Sequence, residues 1–198
     1  MRHCLHKKSD IVAKHYTNSK QLPEEWNNFI PDGHFLQSKQ LGITEAAALP
    51  DLSFLYIQLF NNGQPVLAAG FQLLSLNSKH VNSSMVTPLQ HAGWRAFTGM
   101  IRPKLLVGGH LFRHDVASVY CVPDAEVYDT YLYYKQAIDE AMDTSCASAV
   151  VIKDMPEKLA KYFQNYEPKY IQLRNDISME MKIPAEWEDI HDYEKALK

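Results

Sequence analysis

The sequence predicts an α/β protein whose mixed, twisted sheet of six or seven strands is flanked by helices. Two observations lead to this fold class. Two apolar, β-rich runs flank a tight-turn signal within residues 53–76, and two later β-rich runs, 117–122 and 147–153, are separated by a long helical pattern. A hairpin makes an antiparallel strand pair, whereas a helical crossover makes a parallel pair. A single sheet that contains both pairs is therefore mixed.

The clearest element is the hairpin in "SFLYIQLFNNGQPVLAAGFQLLSL", residues 53–76. Its turn is Asn61-Asn62-Gly63-Gln64, and Asn-Gly supplies the positive φ angles that a two-residue hairpin turn needs. Two helices are predicted before it, over 22–30 and over 34–50. Pro23 suits the first turn of the earlier helix, and Pro50 stops the later one.

The crossover is predicted as a helix from about 125 to 145. Asp124 is a candidate N-cap, and apolar side chains recur along the segment at helical spacing. The strands at 117–122 and 147–153 should then run parallel. The second of these strands has so few polar positions that we expect it to be buried on both faces.

The remaining chain predicts a helix over 155–165, strands at 169–173 and 177–183, and a terminal helix over 185–198. We expect one domain over residues 1–184. The terminal helix has an apolar stripe formed by Trp187, Ile190, Tyr193 and Leu197. That stripe either packs on the domain's own core or docks on a second domain or another copy of the chain. In the docking case, removing the helix leaves the sheet folded and abolishes the association.

Composition excludes several classes of protein. The 198 residues are 46% hydrophobic and 22% charged, with a net charge of −3, so no basic surface suits a nucleic acid duplex. No apolar run approaches the roughly 20 residues of a membrane-spanning helix, and residues 1–16 have no signal-peptide core. The three cysteines, Cys4, Cys121 and Cys146, suit reduced thiols. We expect a cytoplasmic protein.

The stretch "LLVGGHLFRHDVASVYCV", residues 105–122, concentrates the candidate chemistry. A phosphate-binding loop needs glycines between a strand and the helix that follows, but Gly108 and Gly109 precede the strand. The strand-to-helix connection "VPDAEVY" has Asp124 and Glu126 where a phosphate would lie. We therefore expect no tight binding of acetyl-CoA, and we read the glycine pair as a turn.

His110 and His114 share a face in either a helix or a strand, which allows a metal site. The segment has no third ligand except Asp115, so we expect no metal. Surface histidines are one alternative. The other is a substrate contact in which His110, Arg113 and His114 bind an anionic or hydroxylated group.

Two further positions have a structural and a functional interpretation. Strand alternation places Cys121 among packed side chains, which favours a structural thiol over a nucleophile. Lys153 and Asp154 follow the strand at 147–153, and ligands of open α/β sheets gather at such strand ends. They are candidate substrate-binding residues, although Asp154 would also suit the cap of the helix that Pro156 opens.

The ordered segments resemble a known family. The hairpin precedes "KLLVGGHLFRHD", followed by "EVYDTYLYYKQAIDEA", "AVVIKDM" and "ISMEMKIPAEWEDIHDYEKALK". This order is similar to the N-terminal half of two-domain bacterial acyltransferases, the FemAB-like, peptidoglycan-biosynthesis-related branch of the GNAT (acyl-CoA N-acyltransferase) fold. Four residues match the end of that half: Met179, Met181, Trp187 and Tyr193. The glycine-rich signature of GNAT enzymes is absent.

The resemblance implies a domain of an acyl- or aminoacyltransferase that acts on an amine acceptor, a small molecule or a cell-wall-type amine. Deprotonating the amine and stabilising the tetrahedral intermediate require a base and hydrogen-bond donors. The candidate catalytic residues are His110, His114 and Tyr120. We expect no cofactor bound to this chain, an acyl-CoA or aminoacyl donor for the complete enzyme, and a second GNAT-like domain or a homodimer as partner. The alternative is a non-catalytic binding or scaffolding module that keeps the sheet.

Overall fold

The computed structural model of the chain describes residues 11–47, 50–76, 87, 90, 92–94, 96, 102–114 and 116–172. The chain divides into two compact units after Pro168. All elements named below belong to the first unit. The described residues of the second unit, 169–172, form no strand, so the strand prediction is wrong there. The predicted strand at 177–183, the helix over 185–198 and the boundary after residue 184 lie outside the described residues.

The first unit contains six described strands and four described α-helices. The strands are β1 Ile11–Tyr16, β2 Leu52–Asn61, β3 Gln64–Ser75, β4 Lys104–Gly108, β5 Val119–Cys121 and β6 Ala149–Ile152. The helices are α1 Glu24–Phe29, α2 Ser38–Ala46, α3 Val127–Ser145 and α4 Glu157–Tyr166, and a short 3-10 turn covers Ser19–Gln21. None of the described helices is long and apolar enough to cross a membrane.

The strands form one mixed sheet in the order β1-β2-β3-β4-β6, and β5 pairs with β3. The pairs from β1 to β4 are antiparallel, as is β5 with β3, while β4 and β6 are parallel. The predicted mixed α/β sheet with flanking helices is confirmed.

The hairpin turn forms where it was predicted. Asn61 pairs with Gln64, and the two residues between them have positive φ angles, 51° at Asn62 and 79° at Gly63. Asparagine and glycine tolerate this left-handed conformation better than other residues. The turn sets the pairing only next to it, because an irregularity between Leu59 and Phe60 shifts the register along the rest of β2 and β3, the two longest strands.

Two strands were not predicted. β1, "IVAKHY", has three polar or aromatic residues in succession, yet it pairs along its whole length with β2. β4, "KLLVG", is short and follows a mixed polar segment. Both are stabilised by partners that are distant in sequence, and local patterns do not reveal such partners.

β5 and β6 run in the same direction and are joined by α3, as predicted, but they do not pair with each other. β6 pairs with β4 instead. It ends the described strand order, and Ala149 and Val151 on one of its faces are exposed, Val151 at 44%. The prediction that this strand is buried on both faces is wrong, because described helices cover only the other face.

The helices differ from the predictions mainly at their ends. α3 begins at Val127 with Glu126 as its N-cap residue, so Asp124 is not the cap. α2 begins at Ser38 instead of residue 34. Before α2 the chain turns, and the carbonyl of Leu36 accepts a hydrogen bond of 2.7 Å from the buried indole of Trp26. This bond replaces the predicted first helical turn.

The two faces of the sheet are packed by different helices. On the first, the α1 face, a buried cluster joins the helices to β2 and β3; its members are Trp26, Ile30, Leu36, Leu41, Tyr56 and Ala68. On the second, the α3 face, Tyr134 of α3 stacks on Phe71 of β3 with ring centroids 6.5 Å apart.

Glu45 attaches α2 to the α1 face. Its carboxylate accepts hydrogen bonds from the Ser19 backbone and hydroxyl and from the Tyr56 hydroxyl, at 2.6, 2.7 and 2.7 Å. Burial, followed by the bond to Glu45, raises the pKa of Tyr56, so this hydroxyl stays a proton donor. The anchored helix in turn holds the preceding turn, residues 31–37, over the sheet.

Candidate functional site

The sheet splits where β4 ends. Gly108, the last residue of β4, pairs with Phe71 of β3, and the next β3 residue, Gly70, donates its backbone N–H to the Ser118 carbonyl at 2.8 Å. Consecutive β3 residues therefore face positions 108 and 118. The residues between them, 109–114 and 116–117 in the described structure, leave the sheet, and we call them the extruded segment.

The split leaves a gap between β5 and β6. β6 is paired with β4 only as far as Ile152, while β5 continues along β3. The gap holds about 270 Å³ of empty space, a volume that includes open solvent at its mouth. It is lined by Ala117, Ser118, Val119, Tyr134, Ile152, Lys153, Asp154, Met155 and Pro156.

One edge of β5 faces this gap. Val122 donates its backbone N–H to Val66 of β3 at 3.2 Å, and Ser118 accepts from Gly70. In an antiparallel pair, alternate residues direct both backbone groups at the partner strand. Val119 and Cys121 therefore direct their N–H and C=O groups away from β3. Among the described strands β5 pairs only with β3, so no described strand occupies this edge.

A buried hydroxyl pair lies beside the gap. The Ser118 and Tyr134 hydroxyl oxygens are 2.6 Å apart, and both residues line the gap. A Cβ placed on Gly108 would lie 2.9 Å from the Tyr134 hydroxyl and 2.7 Å from the Ile152 Cδ1. The absence of a side chain at Gly108 thus makes room for the tyrosine under the end of β4.

Lys153, predicted to bind substrate, is engaged with the protein backbone. Its ammonium donates to the carbonyls of His110, Leu111 and Arg113 at 2.7, 3.3 and 3.1 Å. From β3, the buried Gln72 accepts the backbone N–H of Leu111 at 2.7 Å. The extruded segment is therefore held from two sides.

His110, a predicted catalytic residue, lies at the start of the extruded segment. Its ring contacts Phe35, with centroids 5.5 Å apart, and its Nδ1 accepts the backbone N–H of Phe112 at 3.1 Å. Burial, then the charges of Arg113 and Lys153, lower its pKa. A neutral ring that accepts at Nδ1 carries its proton on Nε2. In this arrangement His110 is a hydrogen-bond donor and not a base.

Tyr120, also predicted as catalytic, lies in β5 on the α1 face. It contacts Phe29 and His34, with ring centroids 5.2 and 5.5 Å apart. His34 was missed by the sequence analysis, which placed it inside a helix. Its Nδ1 accepts the Leu36 N–H at 3.1 Å, and burial lowers its pKa. The only available signal was a histidine after Gly33 in "PDGHF", a turn pattern.

The other predicted site residues are more peripheral. Arg113 is exposed, and its guanidinium lies 5.9 Å from the ring centroid of Phe35. His114 is exposed as well. Asp154 lines the gap, is exposed, and has a left-handed backbone with φ of 53°. The structure thus brings together His110, Arg113 and Lys153, and the turn 31–37 links them to Tyr120.

The start of α3 does not suit a phosphate. Asp124 and Glu126 precede the helix as exposed residues, and Asp129 lies in its first turn. These carboxylates oppose the attraction that a helix N-terminus offers an anion. Cys121 has its thiol at 3.2 Å from the Val66 carbonyl, and burial raises its pKa, which disfavours a nucleophilic thiolate. The described residues contain no group of three metal-binding side chains.

The chain matches no protein-family model, and no curated protein matches it in sequence. Among solved structures, it is similar to an aminoglycoside N-acetyltransferase in complex with CoA: TM-score 0.45 and 10% identity over 90% of this chain and 99% of the other. A related acetyltransferase from an uncultured soil metagenomic sample gives 0.43 and 9%, over 87% and 97%. An aminoglycoside 6′-N-acetyltransferase from Acinetobacter haemolyticus gives 0.41 and 9%, over 87% and 99%.

Proposed function

We propose that this chain is a GNAT-like domain that transfers an acyl or aminoacyl group to an amine, with a degenerate site for CoA. The observation that supports it best is the split sheet, with one edge of β5 facing the gap towards β6. Extended chains bind such edges by adding backbone-type hydrogen bonds. An acyl donor attached to an amide-bearing arm would bind there through the backbone groups of Val119 and Cys121.

The roles of the side chains follow from their hydrogen bonds. An unprotonated amine attacks the donor's carbonyl carbon, and negative charge develops on the carbonyl oxygen. His110 would donate its Nε2–H to that oxygen. The bond to the leaving group then breaks, and the leaving group takes a proton from the hydroxyl pair Ser118–Tyr134. The proton released by the amine nitrogen passes through water to the hydroxyl pair, which returns the pair to its starting state.

The acidic start of α3 narrows the class of donor. A CoA pyrophosphate placed there would face Asp124, Glu126 and Asp129, so we infer a donor without phosphates at that end, such as an aminoacyl group on a different carrier. The family resemblance supports a cell-wall-type or small-molecule amine as acceptor. It also supports the FemAB-like branch, a cytoplasmic bacterial protein and a second GNAT-like domain or second copy as partner.

Backbone NMR with two probes tests the proposal. Acetyl-pantetheine has the amide-bearing arm without the nucleotide, whereas acetyl-CoA adds the phosphates. We expect acetyl-pantetheine to shift amide resonances of residues 117–121 and 152–156, and acetyl-CoA to bind no more tightly. Micromolar binding of acetyl-CoA would refute the degenerate-site proposal. The absence of shifts at the gap with both probes would refute the donor site itself.

A matched pair of variants locates the binding. Ala117→Trp fills the mouth of the gap at an exposed position, and Val12→Trp adds the same ring at an exposed position of β1. We expect the first variant to abolish the shifts caused by acetyl-pantetheine and the second to leave them unchanged. Equal loss in both variants would mean that the binding is not at the gap.

The alternative is a non-catalytic binding module. It is favoured by the hydrogen bonds of His34 and His110, because each ring accepts a backbone N–H at Nδ1, the atom that would otherwise take a proton from the amine. Only a transferase would acetylate an amine. The test incubates the protein with acetyl-pantetheine and a panel of primary amines and detects acetylated amines by mass spectrometry. If acetyl-pantetheine binds at the gap and no amine is acetylated, the result supports the binding module.

A further inference from the structure

We infer that Lys153 is a positioning residue that keeps the sheet split, by binding the backbone carbonyls of the extruded segment. Its importance for acyl transfer rests on the proposed function, whereas its effect on the split does not. Sequence reasoning placed this side chain at a strand end as a substrate contact. The structure gives its ammonium different partners.

All three N–H donors of the ammonium have an acceptor. They meet the carbonyls of His110, Leu111 and Arg113, each of which belongs to the part of the chain that has left the sheet. Lysine has three donors and no acceptor, so these bonds saturate it. Hydrogen bonds to a charged group are stronger than neutral ones, which suits a clamp on a segment without strand partners.

Lys153 lies at the point where the pairing between β4 and β6 ends. Its own backbone N–H donates to the Gly108 carbonyl at 2.8 Å, and among the described residues this is the last such bond between the β4 and β6 sides of the sheet. Gly109, the residue directly after β4, has φ of 117°. A Cβ at this position would lie 3.1 Å from the Lys153 Cβ. The chain therefore leaves the sheet directly against the lysine.

Gln72 holds the same segment from β3. Its amide oxygen accepts the Leu111 N–H, so Leu111 is bound through its N–H on one side and through its carbonyl on the other. Leu111 is thus held by a side chain of β3 and by the side chain of the residue that follows β6. His110 is adjacent to it, and its donor Nε2–H is placed by this grip together with its contact to Phe35.

Hydrogen exchange measured by mass spectrometry tests the clamp without any ligand. Lys153→Met removes the donors and keeps the length of the side chain, and Lys153→Arg keeps the charge and several donors. Lys161→Met is the control, because Lys161 is an exposed lysine paired with Glu157 at 2.9 Å. We expect Lys153→Met to raise exchange of peptides covering 109–117 at least about tenfold, which corresponds to about 1.4 kcal/mol. β2 and β3 should keep their protection.

The arginine variant and one spectroscopic signal separate positioning from a general loss of stability. We expect Lys153→Arg to restore much of the protection. By NMR, the pKa of His110 should rise in Lys153→Met, because a nearby positive charge and part of its burial are lost, and should stay low in Lys153→Arg. Unchanged exchange at 109–117 in Lys153→Met would overturn the inference, as would equal increases over the whole sheet. If Lys153→Met does not fold, Lys153→Arg tests the inference alone: equal loss of protection over the whole sheet, or a His110 pKa that rises although the charge and donors are kept, would overturn it.

Discussion

The two halves of the sheet are built differently. β1, β2 and β3, the continuous half, are long antiparallel strands that pair along most of their length. β4, β5 and β6, the split half, are short, and one segment leaves the sheet between two of them. In the continuous half, β2 is paired with a neighbour on both sides. In the split half, the backbone of the extruded segment is bound by Lys153 and Gln72, and one edge of β5 has no described strand beside it.

This difference indicates a division of tasks. The continuous half contains β2 and β3, whose central residues are buried on both faces. Such burial is the main source of stability in a domain of this size. The split half has open backbone groups, which weaken a sheet but allow it to bind another chain. We therefore expect substitutions in the two halves to affect different properties.

The largest loss of stability should come from the continuous half. Ile57 is fully buried at the middle of β2. We expect Ile57→Ala to lower the free energy of unfolding by about 2–5 kcal/mol, because it removes apolar contacts and leaves a cavity. Val151→Ala, in the exposed face of β6, should change it by less than about 0.5 kcal/mol. Urea unfolding of both variants measures the contrast, and similar losses would contradict it.

A methyl group added at Gly108, where the sheet splits, should lower the stability by a smaller amount. We expect Gly108→Ala to destabilise the protein by about 1–3 kcal/mol, because its Cβ meets the Tyr134 hydroxyl and the Ile152 Cδ1 below normal contact distance. Gly63→Asn is the control, since nothing lies within 4 Å of that Cβ and asparagine tolerates φ of 79°. Thermal unfolding compares them. If Gly63→Asn lowers the stability more than Gly108→Ala does, the Tyr134 and Ile152 side chains must move aside easily for the new Cβ at position 108.

Two buried glutamines should respond in opposite directions. Gln58 in β2 is fully buried, and neither of its side-chain polar atoms has a hydrogen-bond partner among the described residues, whereas Gln72 in β3 accepts from Leu111. We expect Gln58→Met to stabilise the protein by about 1 kcal/mol and Gln72→Met to destabilise it by a similar amount. Chemical denaturation gives both values. Destabilisation by Gln58→Met would show that its amide is bound in solution, by a buried water for example.

The smallest expected effect is a pH dependence from His34 and His110. Burial lowers the pKa of both, so the unfolded chain takes up protons first as the pH falls below about 6.5. Stability should therefore be complete above pH 7 and decrease as the pH falls from there through the lowered values. Melting temperatures from pH 8 to pH 5.5 check this. The double variant His34→Asn, His110→Asn should show a weaker decrease, and an unchanged decrease would assign it to other groups.

The sequence was informative where local chemistry determines structure. Asn62 and Gly63 predicted the turn, and the helical spacing in 127–145 predicted α3. It was less informative where a distant partner decides. β1 is a strand because β2 lies beside it, and β6 has an exposed face because no described helix covers it.

The candidate site was predicted in part for the same reason. The stretch from 105 to 122 was singled out, and His110, Arg113 and Lys153 do lie together. Their roles depend on contacts that the spacing of residues in the sequence does not reveal. Lys153, for example, donates hydrogen bonds to carbonyls about forty residues away. His34 reaches Tyr120 only through the turn before α2. The split itself follows from the register of β4 and β5 on β3, which a single sequence does not specify.

Residue-resolved amide exchange in β5 tests the split most directly. The N–H of Val122 is bonded to Val66, and alternation directs the N–H of Tyr120 at β3 as well, whereas those of Val119 and Cys121 point away from β3. NMR exchange measured without ligand should give slow exchange at 120 and 122 and fast exchange at 119 and 121. Adding acetyl-pantetheine should slow the second pair. Equal protection of all four amides without ligand would mean that another strand occupies that edge of β5, and the open gap on which the proposed function depends would not exist.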